Sequence, residues 1–183
     1  MERRSAILKT NKKQGLAPLL CPVPKILVLG SLPGDESLRR QEYYGHPRNR
    51  FWKVISAILN EPEPENYAAK KALLSSGSIA LWDVYQAADR EGSMDADIRH
   101  GEFNDIFGLL EEYPSIKAIG LNGGKAEKAF QEYCSKHQAQ LQRQDRDLMI
   151  YALPSTSPAN ASWTMDKLVP VWKELIDTAY EKV

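Results

Sequence analysis

Chemistry-bearing residues concentrate in one stretch, Gly30 to Trp52, which reads GSLPGDESLRRQEYYGHPRNRFW. It carries aromatic rings at Tyr43, Tyr44 and Trp52, hydroxyl and amide groups at Ser31, Ser37 and Asn49, and cations at Arg39, Arg40, Arg48 and Arg50. That is a stacking surface, a set of hydrogen-bonding groups and several phosphate anchors within one loop. The usual nucleotide and hydrolase patterns do not fit it. Gly30-x-x-x-Gly34 is neither a dinucleotide fingerprint nor a Walker loop, and no Lys-Ser or Lys-Thr follows to hold phosphates and magnesium. Ser31 is not set in a G-x-S-x-G elbow, and no spacing pairs His46 or His100 with it as a base. What remains is a site with few ionisable groups, several backbone N–H donors and aromatic faces. Enzymes that act on an extruded nucleobase have that design, holding the base between apolar or aromatic side chains and reading its edge by hydrogen bonds.

The elements that must position this stretch follow from periodicity. The apolar run Lys25-Ile26-Leu27-Val28-Leu29 predicts a buried parallel strand over 25–30. Phe51, Val54, Ile55, Ile58 and Leu59 share one face of a helix expected over 48–60, which Glu61-Pro62-Glu63-Pro64-Glu65 breaks. A helix over 67–76 is closed by Gly77. A strand over 78–84 places Asp83 at its carboxyl end. Residues 86–104 are polar and read as a long loop. A short helix over 103–113 follows, then a strand over 116–121 ending in Asn122-Gly123-Gly124, a helix over 125–137 and a strand over 148–153. The rigid polar loop from Pro154 to Asn160 comes next. The last helix, over 162–181, carries an apolar stripe of Leu168, Val171, Trp172, Leu175, Ile176 and Ala179. Strands separated by helices predict the α/β class, a three-layer α/β/α sandwich with a central, mostly parallel four-stranded sheet. Right-handed crossovers then place every strand's carboxyl end on one edge. Ligands of open α/β sheets bind at that edge, where the Gly30 loop, Asp83, Asn122 and the Pro154 loop meet.

At 183 residues the chain has room for one domain, expected over 25–183, and is too short for two ordinary ones. Residues 1–24 lack periodicity and read as an N-terminal arm, packed irregularly or partly disordered. Cys21 and Cys134 form no Cys-x-x-Cys or Cys/His cluster, so neither a zinc site nor a disulfide framework is indicated. No apolar run reaches the length of a membrane span and nothing reads as a signal peptide, so the expected setting is the cytoplasm. The net charge of zero argues against a dedicated nucleic-acid binder, but the charges are unevenly spread. Arg3, Arg4, Lys9, Lys12 and Lys13 oppose only Glu2 at the start, the stretch from Arg39 to Lys53 is basic, and residues 61–112 are acidic by about eight charges. This distribution fits a basic face at the ligand edge or ordinary solvated faces of mixed sign equally well.

The segments GSLPGDESL…YYGHPRNRFW, LWDV and LPSTSPANA, each after a predicted strand, resemble the uracil-DNA glycosylase superfamily. Within it, LPSTSPAN points to the hypoxanthine-DNA glycosylase (DNA-deoxyinosine glycosylase) branch, while HPxNxFW is also shared with mismatch-specific uracil-DNA glycosylases. The resemblance covers nearly the whole chain outside the arm. It implies that Gly30, Ser31, Leu32, Pro33 and Gly34 form a first motif whose backbone approaches a flipped nucleotide. Many relatives carry an Asp or Asn at its centre to position water; here Leu32 stands there. The key polar role then passes to Asn49 of the HPxN segment. Tyr44 matches the aromatic that stacks on the base, and Asp83 lies near a base-reading position. Ser155, Thr156, Ser157, Pro158 and Asn160 belong to the loop that presses into the minor groove, with Arg48 beside them at the DNA. Ser155 replaces the histidine that some relatives place in this motif. The implied activity is monofunctional hydrolysis of the N-glycosidic bond of deaminated bases in DNA, hypoxanthine first, by a monomer without metal or other cofactor.

Ordinary readings of the same residues stand beside these. Asn49 is well suited to satisfy helix N-terminal backbone donors. Tyr43, Tyr44 and Trp52 fit a core. Asp83 can cap a turn, and the four arginines are most simply solvated, with one or two on phosphate. The competing functions are removal of uracil, by a general or mismatch-specific enzyme, and a non-catalytic module that binds DNA or a nucleotide.

Overall fold

The chain is described by a computed structural model over residues 12–144 and 147–181. Its elements in order are β1 (Lys12–Gln14), β2 (Ile26–Gly30), α1 (Asp35–Arg40), α2 (Phe51–Leu59), α3 (Tyr67–Ser76), β3 (Ile79–Asp83), β4 (Tyr85–Asp89) and β5 (Arg99–Phe103). They continue with α4 (Ile106–Glu112), β6 (Ala118–Asn122), α5 (Gly124–Lys136), α6 (Gln138–Arg143), β7 (Met149–Leu153) and α7 (Met165–Glu181). Alternation along β2 divides the core in two. Ile26 and Val28 point into a cluster with Phe51, Val54 and Ile55 of α2, Leu73 and Leu74 of α3, and Trp172, Leu175 and Ile176 of α7. Leu27 and Leu29 point the other way, into Ile106, Phe107 and Leu110 of α4 and Phe130 and Tyr133 of α5. A strand covered on both faces reads as a continuous apolar run, which is why ILVLG stands out in the sequence.

The sheet order is β3-β2-β6-β7, and every pairing in it is parallel. The expected three-layer arrangement is therefore present, with helices on both faces. Gly30 is in register with Asp83, and Asn122 with Leu153, so the strand ends form one edge.

The expectation of a long loop over 86–104 fails. Tyr85–Asp89 and Arg99–Phe103 are strands of a second, antiparallel sheet in the order β1-β4-β5. Its alternating pattern is hard to see because β5 is polar, RHGEF, and few β-branched residues mark either strand. What holds it is the stack of Tyr85 on Phe103, with ring centroids 5.4 Å apart, laid over Gly101, where any side chain would run into the Tyr85 ring. From Lys12 onward the N-terminal stretch is also ordered: β1 pairs with β4, Leu19 bridges Leu81, and Cys21 is buried. Arg3, Arg4 and Lys9 lie outside the described residues.

Smaller differences have local causes. The helix expected from Arg48 begins at Phe51, because Asn49 Oδ1 accepts the Phe51 N–H and fixes the start. Gly77 closes α3 as expected, but the left-handed residue is Ser78, at φ 48°. Gly77 is needed for space, since a Cβ there would press on Ile79 and Leu59.

Trp172 is fully buried on α7 and donates its indole N–H to the Pro154 carbonyl at 3.1 Å. It joins the core to the start of the Pro154 loop. Trp172→Ala should cost about 3–5 kcal/mol of stability, as large-to-small changes at buried aromatics do. Urea unfolding of the two proteins measures the difference, and a loss below about 1 kcal/mol would show that the site collapses without penalty.

Candidate active site

The carboxyl edge of the parallel sheet opens into a cavity of about 850 Å³. Every site residue expected from sequence lines it: Gly30, Ser31, Leu32, Pro33 and Gly34 on one wall, Tyr44 and Asp83 beside them, Arg48 and Asn49 along one rim, and Ser155, Thr156, Ser157, Pro158 and Asn160 along the other. The volume lies within the range of small-molecule sites, roughly 300–1,000 Å³.

Register builds the back wall. Because Gly30 and Asp83 are level, the Asp83 carboxyl crosses the face of Gly30, and any Cβ on that glycine would overlap Asp83 Oδ1. Asp83 is only 4 % exposed, and its Oδ2 has no hydrogen-bond partner among the described residues. Burial pushes this carboxyl up to about 8, the nearby Asp95 carboxylate adds to the rise, and Arg90 opposes it. The turn-capping reading of Asp83 finds no support, since among the described residues no backbone N–H donates to its side chain. Its main-chain carbonyl instead accepts from Asn104 Nδ2 at 2.8 Å.

Tyr44 lies on Phe51 with ring centroids 4.0 Å apart and planes 22° from parallel. Its backbone is left-handed, at φ 51°, and its hydroxyl bonds to the Asn122 side chain. One ring face is covered by Phe51 and the ring lines the cavity. Tyr43 and Trp52 are core residues: the Tyr43 hydroxyl donates to the Ala17 carbonyl at 3.0 Å, and Trp52 Nε1 donates to the Tyr43 carbonyl at 3.1 Å. Asn49 does serve the helix start, and this constrains it further. With Oδ1 held by the Phe51 N–H at 3.0 Å, the amide presents its Nδ2 donors away from that bond. His46 shapes the same turn, its Nδ1 accepting the Arg48 N–H at 3.1 Å.

The arginines do not form a basic face. Arg39 and Arg40 both pair with Glu36, and their hydrogen bonds hold that partly exposed carboxyl down at about 2. Arg50 turns inward. Its guanidinium donates to the carbonyls of Thr156, at 3.3 Å, Ser157, at 2.6 Å, and Asn160, at 3.0 Å, and also to Trp163. Arg48 alone among these four is exposed at the cavity without a side-chain partner among the described residues. The loop from 154 to 160 is tied from below as well. Asn122 Nδ2 donates to Thr156 Oγ1 and Asn122 Oδ1 accepts the Thr156 N–H, each at 3.0 Å.

Sequence reasoning overlooked the segment from Arg90 to Asp97, because the strand that precedes it was read as loop. Ser93, Met94, Asp95 and Ala96 line the cavity, and Ser31 Oγ donates to Asp95 Oδ1 at 2.5 Å. Arg90, 1 % exposed, donates to the carbonyls of Leu32, at 3.2 Å, and Pro33. Lys13 reaches Asp35 and the Gly92 carbonyl from β1. Arg50 carried no signal for its inward role beyond its place between Asn49 and the apolar face of α2. Among the described residues, no cluster of His, Cys, Asp and Glu is placed to hold a metal ion, and no helix is long and apolar enough to cross a membrane.

The model of the uracil DNA glycosylase superfamily matches residues 17–176. Hypoxanthine DNA glycosylase from Methanosarcina acetivorans is 44% identical over 62% of this chain and 73% of its own length. Hypoxanthine DNA glycosylase from Methanosarcina barkeri is 41% identical over 63% and 73%. The solution NMR structure of a protein assigned as a uracil DNA glycosylase from Methanosarcina acetivorans superposes with a TM-score of 0.73 at 34% identity, covering 92% of this chain and 98% of that one.

Two outcomes follow from the geometry. Arg50→Met removes charge-assisted bonds to four carbonyls, so hydrogen exchange at residues 157–163 should quicken by roughly 10–100-fold, corresponding to about 1.5–3 kcal/mol, while the central strands stay protected. Unchanged exchange there would show that Asn122 alone holds the loop. For Asp83, the raised carboxyl binds its proton more tightly in the folded chain than in the unfolded one. Stability should therefore be greatest below the ordinary carboxylate range and fall as pH rises from there through about 8, by up to about 1.4 kcal/mol per pH unit. Melting curves of the wild type and Asp83→Asn across that window test this, since the variant lacks that slope.

Proposed function

The chain belongs to the uracil DNA glycosylase superfamily, and from that premise we infer that it is a hypoxanthine DNA glycosylase. It is a hydrolase that cuts the N-glycosidic bond of the deaminated base in DNA, the first step of base excision repair. The observation that carries this reading is the identity of 41–44% to two hypoxanthine DNA glycosylases. It is supported by one cavity, at the strand ends, deep enough to receive a flipped base.

In this reading each wall has a role. The free face of Tyr44 stacks on the base, with Phe51 backing the ring. The backbone from Gly30 to Gly34 approaches the nucleotide closely. Asn49 acts as a donor rather than a base. Its Oδ1 is engaged by the helix, so its Nδ2 group orients water or holds charge that develops on the base. The 154–160 loop, held by Arg50 and Asn122, enters the minor groove and fills the gap in the stack. Arg48 touches phosphate. Among the described residues no lysine lines the cavity, and strand cleavage through a Schiff base is no part of this reading. One chain holds the complete cavity, in keeping with a monomer, and the unpaired Cys21 and Cys134 suit the reducing cytoplasm.

The test is base release from matched duplexes carrying one deoxyinosine or one deoxyuridine, with alkali to reveal abasic sites. Deoxyinosine should be the better substrate. Release from deoxyuridine alone would move the substrate to uracil, and binding without release from either would leave a DNA-binding module. Asn49→Ala should lose roughly 10²–10³ in turnover while remaining folded, the loss seen on removing one transition-state donor.

A further inference from the structure

Building on the glycosylase reading, we propose that Asp83 is the proton donor of the reaction: its carboxylic acid protonates the purine as the bond from C1′ to N9 breaks. The argument starts from an oxygen with nothing to bond to. Asp83 Oδ2 is buried and unpartnered among the described residues, while the side chain as a whole lines the cavity. An ionised carboxylate left without donors in such a place is strongly disfavoured, whereas the neutral acid loses little. Nor, among the described residues, does any cation form an ion pair or hydrogen bond with it. The groups that face Asp83 are the phenols of Tyr43 and Tyr44 from the segment before α2, and Asp95 and Arg90 from the segment after β4. Both phenols are neutral, since burial pushes them up. Asp95 is a second carboxylate and repels a charge on Asp83. Arg90 is the one cation in the set, and its bonds go to the carbonyls of Leu32 and Pro33. The result is a carboxyl raised to about 8, still largely protonated at neutral pH. A carboxylic acid held neutral next to reacting atoms is what general acid catalysis requires.

The chemistry of the base fits a donor there. Hypoxanthine shares guanine's major-groove edge, with acceptors at N7 and O6, whereas adenine puts a donor in place of O6. A carboxylate can only accept and would face two acceptors; the acid can donate to one. In the reaction the Asp83 proton passes to N7, and the electron pair of the breaking bond moves onto the ring. Hypoxanthine then leaves as a neutral molecule rather than an anion. Water adds to C1′ and forms the new C–O bond. The proton it sheds goes to solvent through the open mouth, and solvent reprotonates Asp83. Atoms and charge balance as hydrolysis.

The test is single-turnover base release from about pH 5.5 to 9.5, by the wild type and Asp83→Asn, on duplexes carrying deoxyinosine or 7-deaza-2′-deoxyinosine, with binding to both duplexes measured alongside. The variant's own profile shows any titration that belongs to the substrate base. At acid and neutral pH, Asp83→Asn should be roughly 10²–10⁴-fold slower than the wild type. The ratio of the two rates should shrink as pH rises through about 8, since the wild type loses its acid form there. The 7-deaza base, which lacks the acceptor, should be bound by the wild type as deoxyinosine is and released at most as fast as the variant releases hypoxanthine. Three results would each overturn the proposal: a folded Asp83→Asn protein within about threefold of the wild type, a rate ratio independent of pH, or rapid release of the 7-deaza base. In all three the wild type still releases hypoxanthine, so the glycosylase reading stands. A folded wild type that releases no base from deoxyinosine overturns both. Should Asp83→Asn not fold, the wild-type pH profile and the 7-deaza arm decide alone.

Discussion

In a parallel sheet, residues in register share a level, and what one strand leaves empty its neighbour can fill. Gly30 and Asp83 share such a level at the carboxyl edge. The glycine leaves the volume of one methyl group vacant, and the aspartate occupies it. The whole back wall depends on that exchange. A side chain at 30 would drive the carboxyl out of the sheet's end, and a shorter residue at 83 would leave a hole between β2 and β3. The same packing buries the residue to 4 % exposure and leaves Oδ2 without a partner among the described residues. Its shifted acidity is therefore first a product of the burial that strand register imposes, with the Asp95 carboxylate adding to it.

Around this wall two loops are held by different physics. The Gly30 loop is tied mainly through its own carbonyls, Leu32 and Pro33 to Arg90, with a braced flank where Lys13 and Ser93 reach Asp35. The Pro154 loop is gripped from both sides, by the amide of Asn122 below and the guanidinium of Arg50 beside it. Tyr44 links the two through Asn122. Buried polar networks of this kind are costly when half satisfied and rigidifying when complete. Among the described residues, the buried side-chain polar atoms left without a partner are Asp83 Oδ2 and Arg90 Nε.

Much of this was legible in the sequence, and the limits have physical causes. The parallel sheet was readable because its strands are buried on both faces and carry unbroken apolar runs such as ILVLG and AIGLN. The antiparallel sheet was not, because RHGEF is an edge strand stabilised by one aromatic stack and a glycine rather than by propensity. That miss hid Asp95 and Arg90, which sit on the connection between two strands that had been read as loop. The residues expected at the site from their resemblance to a family do converge on one cavity. The arginines were least legible: sequence shows a cluster of four cations, whereas the fold sends one inward, pairs two with a single glutamate and leaves one at the rim.

Arg50 has one more implication, for how such a protein diversifies. Every bond its side chain makes to the Pro154 loop ends on a main-chain oxygen. A carbonyl is supplied by any amino acid, so the grip from position 50 does not depend on which side chains stand where its bonds land. Pro158 and Ala159 can be exchanged while the loop keeps its course. The grip and the vocabulary are thus inherited separately. A lineage, or a library built in the laboratory, can rewrite what Pro158 and Ala159 present to DNA one residue at a time, so long as the guanidinium two residues before Trp52 and the Asn122 amide are kept.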